Sequence, residues 1–480
     1  MLEDLIRDRK KKLEAYGEEA AYPARVSRTM SVEEALAGFA ALARAKKKIS
    51  LTGRLMSVRD QGKLIFADLR DGSGQIQIII KRDETKDFSR LRSVIDAGDF
   101  LSVTGTLMKT ARGEKSLSAR TAVLAAKALR AIPKEWFGIE NEETRLRKRY
   151  LESILEPDLR GLFEKKSRFW GTVREFLTQE GFLDVETPVL EGVPGGAEAE
   201  PFVTHHNALD RDFYLRISLE LPLKKMLVGG FEKVFEIGRI FRNEGLDREH
   251  LQDYTQMECY FAYADYNAMM ALMEKLYKKL VKNVAGSLKT KSGGTVIDWG
   301  KKWPKYGYFE LFKKYAGLDL KTATLDDLKR KARELKIEFD ASTGRGRLID
   351  LVYKKTVRPK LVQPCFLIDP PVEIEPLAKR VPGHPERVER FQIMAAGTEL
   401  GKGFSELNDP LDQRERFTDQ AKLRASGDKE AQMTSEDFLE ALEYGMPPAA
   451  GFGMSERVFA VMMDKPVREA VFFPLMREEK

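Results

Sequence analysis

The sequence predicts an α+β chain of more than one domain, with a small β-barrel near the N-terminus and a larger mixed unit behind it. Three observations predict this. The chain has 480 residues, and at ~100–200 residues per domain that length suggests two to four domains. Between residue 49 and about residue 130, apolar and polar residues alternate with the period of two that marks half-buried strands. From about residue 161 onward, helical and strand patterns mix without a low-complexity stretch or an internal repeat.

Composition narrows the class. Hydrophobic residues make up 42% and charged residues 33%, which fits neither a disordered tail nor a membrane protein. No apolar run approaches the ~18 residues needed to span a bilayer. The opening Met1-Leu2-Glu3-Asp4-Leu5-Ile6 lacks the apolar core of a secretory signal. A soluble, cytoplasmic protein is expected. Two cysteines, Cys259 and Cys365, lie far apart and there are four histidines, which excludes a disulfide scaffold and a cysteine-based zinc site. The net charge of +7 is mild for this length; it allows a polyanionic partner without demanding one.

Residues 1–48 read as a helical arm. Leu2, Leu5, Ile6 and Leu13 alternate with a charged face, and Ser31-Val32-Glu33-Glu34 gives the capping-box start of a second helix. Such an arm can face water or contact a nucleic acid. Residues 49–133 form the next unit. Strands run over 49–56, 63–69 and, after the turn Asp71-Gly72-Ser73-Gly74, 75–80. A helix over 88–97 and strands over 100–110 and 116–129 follow. Three strands, a helix and two strands is the order of an OB-fold, which binds single-stranded nucleic acid through its second and third strands. A barrel without a ligand would show the same pattern. Phe66 falls in phase with Leu64 and Asp68, out of phase with Ile65, Ala67 and Leu69, which puts it on the solvent side. Residues 134–160 are charged and read as a linker with a short helix. Residues 161–480 form the large unit, with helices near 161–180, 266–284 and 325–336 and strands near 233–240, 254–263 and 392–397. Residues 285–360 read as a helical insertion with no assignable chemistry.

Three segments of the large unit carry chemistry. The first is Gly181-Phe182-Leu183-Asp184-Val185-Glu186-Thr187-Pro188. The second is Phe241-Arg242-Asn243-Glu244, a polar loop, then Tyr254-Thr255-Gln256-Met257-Glu258. A strand, loop and strand of this kind presents Arg242, whose guanidinium can grip a carboxylate and a phosphate together; a surface hairpin with a salt-bridged Arg is the plainer alternative. The third is Gly451-Phe452-Gly453-Met454-Ser455-Glu456-Arg457, running into an apolar helix. Its glycines let the backbone approach a ligand closely, and Arg457 can hold a phosphate.

These segments resemble the three signature motifs of class II aminoacyl-tRNA synthetases. Nearly the whole chain is similar to the bacterial-type lysyl-tRNA synthetases of that class. The resemblance is carried by Pro194-Gly195-Gly196-Ala197, Pro201 to Asn207, Tyr214-Leu215-Arg216-Ile217 with Glu220-Leu221, Phe241 to Gly245, Ala262 to Tyr266, and Gly403 to Asp409. It implies a catalytic domain built on an antiparallel sheet flanked by helices, a homodimer joined through the first motif, and the substrates ATP, lysine and tRNA(Lys).

Residue by residue, the resemblance implies that Glu220 meets the substrate α-amino group, Gly196 offers it a carbonyl, and Arg242 binds the α-carboxylate and α-phosphate. Glu406, with Tyr260 and Glu258 nearby, would receive the ε-ammonium; Lys402 and Phe404 line the same pocket. A cation entering a closed pocket must find a carboxylate, because burying it unpaired costs several kcal/mol or more. Tyr254 would stack on adenine, Glu244, His250, Gly453 and Arg457 would contact ATP, and Glu399 would hold Mg²⁺. Arg59, Phe66 and Gln77 match anticodon-binding positions, suited to stacking and to hydrogen bonds with base edges.

The chain departs from the family at several points. Gln392 stands where an acidic metal ligand is usual, Lys402 where an Asn is usual, and Ala122 where an anticodon-reading Glu is expected. The third motif is one residue short, which leaves the register of Gly453 open. Arg248 and His250 lie in a divergent loop. The expected activity is a lysine–tRNA ligase. Its rivals are an aspartyl- or asparaginyl-type enzyme, a ligase that places lysine on a protein, and a tRNA-binding paralogue without activation.

Overall fold

The computed structural model describes residues 2–133, 142–245, 251–340, 343–427 and 431–478. They fall into two compact units, 1–140 and 141–480.

In the first unit β1 (Lys48–Asp60), β2 (Leu64–Arg70), β3 (Gln75–Lys81), β4 (Phe100–Lys109) and β5 (Lys115–Ala126) close into a barrel in the order β1-β2-β3-β5-β4. Alternation decides which side chains fill it. Ile65, Ala67, Leu69, Ile76, Ile78 and Ile80 are buried in its core, while Leu64, Phe66 and Asp68 are only half-buried. The turn between β2 and β3 is held by Asp71, whose carboxylate accepts from the backbone N–H groups of Ser73 (2.7 Å), Gly74 (3.0 Å) and Val32 (3.0 Å). Burial opposes the charged form of Asp71, but these hydrogen bonds prevail and bring its carboxyl down to about 2.

Ser31 and Glu34 form the expected capping box on the helix Val32–Ala37. Leu13, Ala21, Val32, Ala35 and Phe39 all enter the barrel core. Arg9 is buried and donates to the carbonyls of Ala128 (2.7 Å) and Ala97 (3.0 Å). The N-terminal helices therefore pack onto the barrel and are not a detached arm, because their apolar stripe finds a partner there.

The boundary between the units lies inside the 134–160 segment; residues 142–147 and 149–155 are helical and belong to the second unit. That unit is built on eight strands: β6 (Leu183–Asp184), β7 (Lys233–Phe241), β8 (Asp253–Ala262), β9 (Lys305–Gly307), β10 (Cys365–Ile368), β11 (Arg390–Ala395), β12 (Thr398–Ser405) and β13 (Ala449–Ser455). Their spatial order is β9-β10-β11-β12-β13-β8-β7-β6. The six central strands are antiparallel, and each edge adds one parallel pair, β9 with β10 and β6 with β7.

The two faces of this sheet part by period two. Phe235, Met257, Cys259, Phe391, Ile393, Phe452 and Met454 point to one side, where the helices Pro157–Gln179 and Tyr266–Ala285 cover them. Tyr260, Phe404 and Ala449 point to the other side, toward the helix Glu220–Val228 and Phe438. Residues 285–360 hold helices at Tyr308–Ala316, Leu325–Glu334 and Arg345–Thr356, but they open with a hairpin, Lys289–Ser292 and Thr295–Asp298, and supply edge strand β9. Short runs bounded by Gly293-Gly294 conceal that hairpin from a search for helical spacing. No helix among the described residues is long and apolar enough to cross a membrane.

Candidate active site

Strand register brings the signature segments together. One row across the sheet reads Gln392, Lys402, Gly453, Glu258, Glu236, and the next reads Arg390, Phe404, Gly451, Tyr260, Val234. Gly451 and Gly453 occupy the middle of both rows, so β13 offers a bare floor between Phe404 and Lys402 on one side and Tyr260 and Glu258 on the other. Glycine inside a strand weakens it and marks a close approach. A Cβ on Gly451 would meet Glu406 Oε1 at 2.1 Å and the Tyr260 ring at 2.4 Å. The register of Gly453 is set by its partners Lys402 and Glu258.

Helix Glu220–Val228 closes the trough. Its buried stripe is Glu220, Leu223, Lys224 and Leu227, spaced as one helical face requires. Gly196, at φ 84°, lies against its first residue: a Cβ there would meet the Cβ of Glu220 at 2.7 Å. Glu220 and Glu406 are 4% and 1% exposed. Both reach the same ammonium, Lys224 Nζ, which sits 2.6 Å from Glu220 Oε1 and in contact with Glu406 Oε2. Phe404 and Phe438 roof it, with ring centroids 5.2 and 5.9 Å from Nζ. Glu406 Oε1 has no hydrogen-bond donor among the described residues.

Two carboxylates and one cation leave an excess negative charge in a dry site. Burial therefore pushes the Glu406 carboxyl well above its ordinary range, against the pull of Lys224. Burial likewise pushes Glu220 up to about 7. Burial also works to lower Lys224, but the two glutamates outweigh it and its pKa is raised.

Glu258, expected beside the ε-ammonium, is already committed. Its Oε1 accepts from Ser218 Oγ (2.6 Å), Leu219 N (2.9 Å) and Gln256 Nε2 (2.5 Å), and its Oε2 accepts from the Tyr260 hydroxyl at 2.9 Å. It acts on the pocket by aiming Tyr260, whose oxygen keeps lone pairs for another donor. Lys402 is also engaged: its Nζ lies 2.9 Å from Glu375, which also faces Arg390 Nε at 3.4 Å. Burial would raise the Glu375 carboxyl, but Lys402 and Arg390 prevail and hold it below the usual range.

At the other end of the trough, Arg242 donates to the Ile217 carbonyl at 3.3 Å, and its guanidinium stands 5.7 Å from the centre of the Tyr254 ring. Gln252 donates to the Gly245 carbonyl at 2.9 Å. Glu244 lies at the start of the loop between β7 and β8, while His250 and Arg248 fall outside the described residues. Arg457 opens the short helix after β13, its backbone N–H donating to Ser455 Oγ at 3.3 Å. Glu399, on β12, accepts a hydrogen bond from the Gln392 amide. No group of three His, Cys, Asp or Glu among the described residues could hold a metal.

Several site residues escaped the sequence reading. Lys224 could have been found, since a lysine on an otherwise apolar helical stripe, four residues after Glu220, needs an acidic partner. Glu375 sits in an irregular segment and gave no signal. The buried pair Arg216–Glu236 (2.6 Å) fixes the first motif: Glu236 accepts from Thr187 Oγ1 at 2.7 Å, and Arg216 donates to the Thr187 carbonyl at 3.0 Å.

In the barrel, Arg59 pairs with Phe66 and Asp68 with Gln77 across neighbouring strands, so Arg59, Phe66 and Gln77 share one face. Arg59 is exposed, Phe66 and Gln77 are half-buried, and Ser116 donates to Gln77 Oε1 at 2.9 Å. Ala122 is on β5.

Comparison with known proteins agrees with this arrangement. Residues 141–477 match the family of class II tRNA synthetases (D, K and N), and residues 49–124 match an OB-fold nucleic acid binding domain. A lysine–tRNA ligase of Roseiflexus sp. (strain RS-1) is 44% identical over 462 residues, covering 95% of this chain and 94% of its own length. One from Moorella thermoacetica is 44% identical over 438 residues, 90% of each chain. One from Pelotomaculum thermopropionicum is 42% identical over 484 residues, covering 99% of this chain and 95% of its own. With a paired-carboxylate trough in one unit and an OB barrel in the other, the chain belongs to the lysine–tRNA ligase family of class II tRNA synthetases.

Proposed function

We infer that this protein activates lysine with ATP and transfers it to the 3′ end of tRNA(Lys). The carrying observation is that Glu220 and Glu406, both buried, share one resident ammonium, while Glu406 Oε1 has no hydrogen-bond donor among the described residues. Such a site is completed by a second cation; a carboxylate or an amide side chain would leave its charge unbalanced. The names of the relatives point to the same amino acid.

Lysine sets its ε-ammonium on Glu406 Oε1 and the Tyr260 hydroxyl. Its α-amino group meets Glu220 and the Gly196 carbonyl. A lysine carboxylate oxygen then attacks the α-phosphorus of ATP; the new O–P bond forms as the bond to the β-phosphate bridge breaks and pyrophosphate leaves. No side-chain nucleophile or general base is needed. Arg242 holds the attacking carboxylate and the α-phosphate together, Tyr254 stacks on adenine, and Arg457 balances charge on the phosphates. Glu244, and His250 in the loop beyond it, complete the ATP contacts. The terminal ribose 3′-hydroxyl of tRNA next attacks the lysyl carbonyl and displaces AMP.

Glu399 fits a Mg²⁺ held chiefly by ATP oxygens, since that ion takes one or two protein carboxylates beside substrate phosphates. Gln392 can turn its amide to add a neutral oxygen, though not a charge. When bound, the ion would neutralise phosphate charge. Arg59, Phe66 and Gln77 would read the anticodon. Leu183, Leu190, Val203 and Leu209, all exposed beyond 45% around the first motif, support the homodimer. The cytoplasmic setting goes with the same reading.

Amino-acid-dependent ATP–pyrophosphate exchange across all twenty amino acids tests the assignment. Exchange with lysine alone is expected. Exchange with aspartate or asparagine would overturn the role of Glu406, and no exchange at all would leave a tRNA-binding protein without activation.

A further inference from the structure

Lys224 belongs to neither the substrate nor the ATP contacts, yet it is fully buried between the two carboxylates. Its Nζ touches one oxygen of Glu220 and one of Glu406, and the aromatic roof of Phe404 and Phe438 leaves it no path to solvent. A salt bridge of this kind is weak evidence for a stabilising role, because desolvation consumes most of the attraction. What it does fix is distance. Each carboxylate spends one oxygen on the same nitrogen, so the separation of the two groups is set by Lys224. The oxygens left over are those that the substrate's two amino groups would meet.

We propose that Lys224 is a positioning residue that sets the span between the two ammonium subsites, so that the pocket measures the length of a diamino acid. The proposal rests on the lysine-activating reading above. Lysine bridges Glu220 and Glu406 at that span; ornithine, one methylene shorter, reaches only one of them, and homolysine must buckle against the roof. The backbone supports a rigid gauge. Glu220 and Lys224 are one turn apart on the same helix, in the favourable acid-before-base order. Gly196 packs against Glu220, and Gly451 lies under Glu406 with no room for a methyl group. Without Lys224 the two glutamates would face each other in a dry site, and one would move away or take a proton.

The test is ATP–pyrophosphate exchange by the full-length protein with the series 2,4-diaminobutyrate, ornithine, lysine and homolysine. For the wild type we expect a single sharp optimum, with both neighbours of lysine at least ~10-fold lower in kcat/KM, since one misplaced polar group costs a site of this kind at least that much. For Lys224→Met we expect the preference for lysine over ornithine to fall by ~10-fold or more while KM for ATP is unchanged. Lys224→Arg retains a cation able to bridge two carboxylates and is expected to keep most of the preference. A purely structural role would lower exchange with every member of the series alike, and that result overturns the proposal. A flat series in the wild type overturns it as well, even if neither variant folds. Absence of lysine-dependent exchange in the wild type would overturn the functional reading and this inference together, whereas lysine exchange with a flat series overturns the inference alone.

Discussion

The outer face of the barrel and the trough of the large sheet use the same strand alternation to opposite ends. On the barrel, Arg59, Phe66 and Gln77 stand on the solvent side, and a flexible single strand can be met one group at a time. In the trough, Glu220, Glu406, Glu258, Lys224 and Tyr260 are buried and hold one another. There the recognising groups form one network, and a change at one is felt at the next. An open face grades its ligands by summed contacts, while a closed ionic site accepts or rejects them by charge and length.

Substitutions can break or sharpen this contrast. The largest effect is expected at Arg242, where truncation removes charge stabilisation from the reacting atoms. Arg242→Ala should lower kcat for pyrophosphate exchange by ~10²–10³-fold, with unchanged affinity for tRNA by filter binding. Next comes Glu258, whose four hydrogen bonds join Ser218, Leu219, Gln256 and Tyr260. Glu258→Gln should lower unfolding stability by ~1–3 kcal/mol in a denaturant titration, because a buried donor loses its acceptor. It should also raise KM for lysine. On the barrel, Phe66→Ala should raise KM for tRNA by roughly 10-fold through lost stacking and leave lysine-dependent exchange untouched.

The smallest effect is with pH. Burial raises the Glu220 carboxyl to about 7, and only its ionised form attracts an ammonium. That attraction is half present at about 7, grows above it and is lost as pH falls below it; the raised Glu406 carboxyl acts in the same direction. KM for lysine should therefore rise by ~5-fold between pH 7 and 6, with KM for ATP steady. A lysine KM that is flat over this interval would show that Lys224 keeps both carboxylates ionised throughout.

The barrel was legible because its order of elements is written in period two and in the turn chemistry of Asp71. Phe66 was placed on the outer side by phase alone, as the half-burial of Leu64, Phe66 and Asp68 bears out. In the sheet of the large unit three strands were legible, expected at 233–240, 254–263 and 392–397 and found at 233–241, 253–262 and 390–395. Its two-row pocket was not, because the register that joins the rows pairs Glu258 with Gly453, nearly two hundred positions away. Lys402 and Glu258 were expected in the lysine pocket, and the protein partners that each engages there were not legible. Glu375, which engages Lys402, lies in an irregular segment whose sequence announces nothing. The hairpin at 289–298 was missed for a different reason: its strands have four residues each, too short for a period to emerge.

Recognition of the substrate's positive end is the role proposed for Glu406. It is tested most directly by comparing exchange with lysine and with norleucine, which is lysine without its ammonium, in the wild type and in Glu406→Gln. The expected wild-type preference for lysine is large, and the variant should lose ~10²-fold or more of it while its KM for ATP stays the same. A variant that still prefers lysine as strongly as the wild type would contradict that role and move charge recognition away from this pocket.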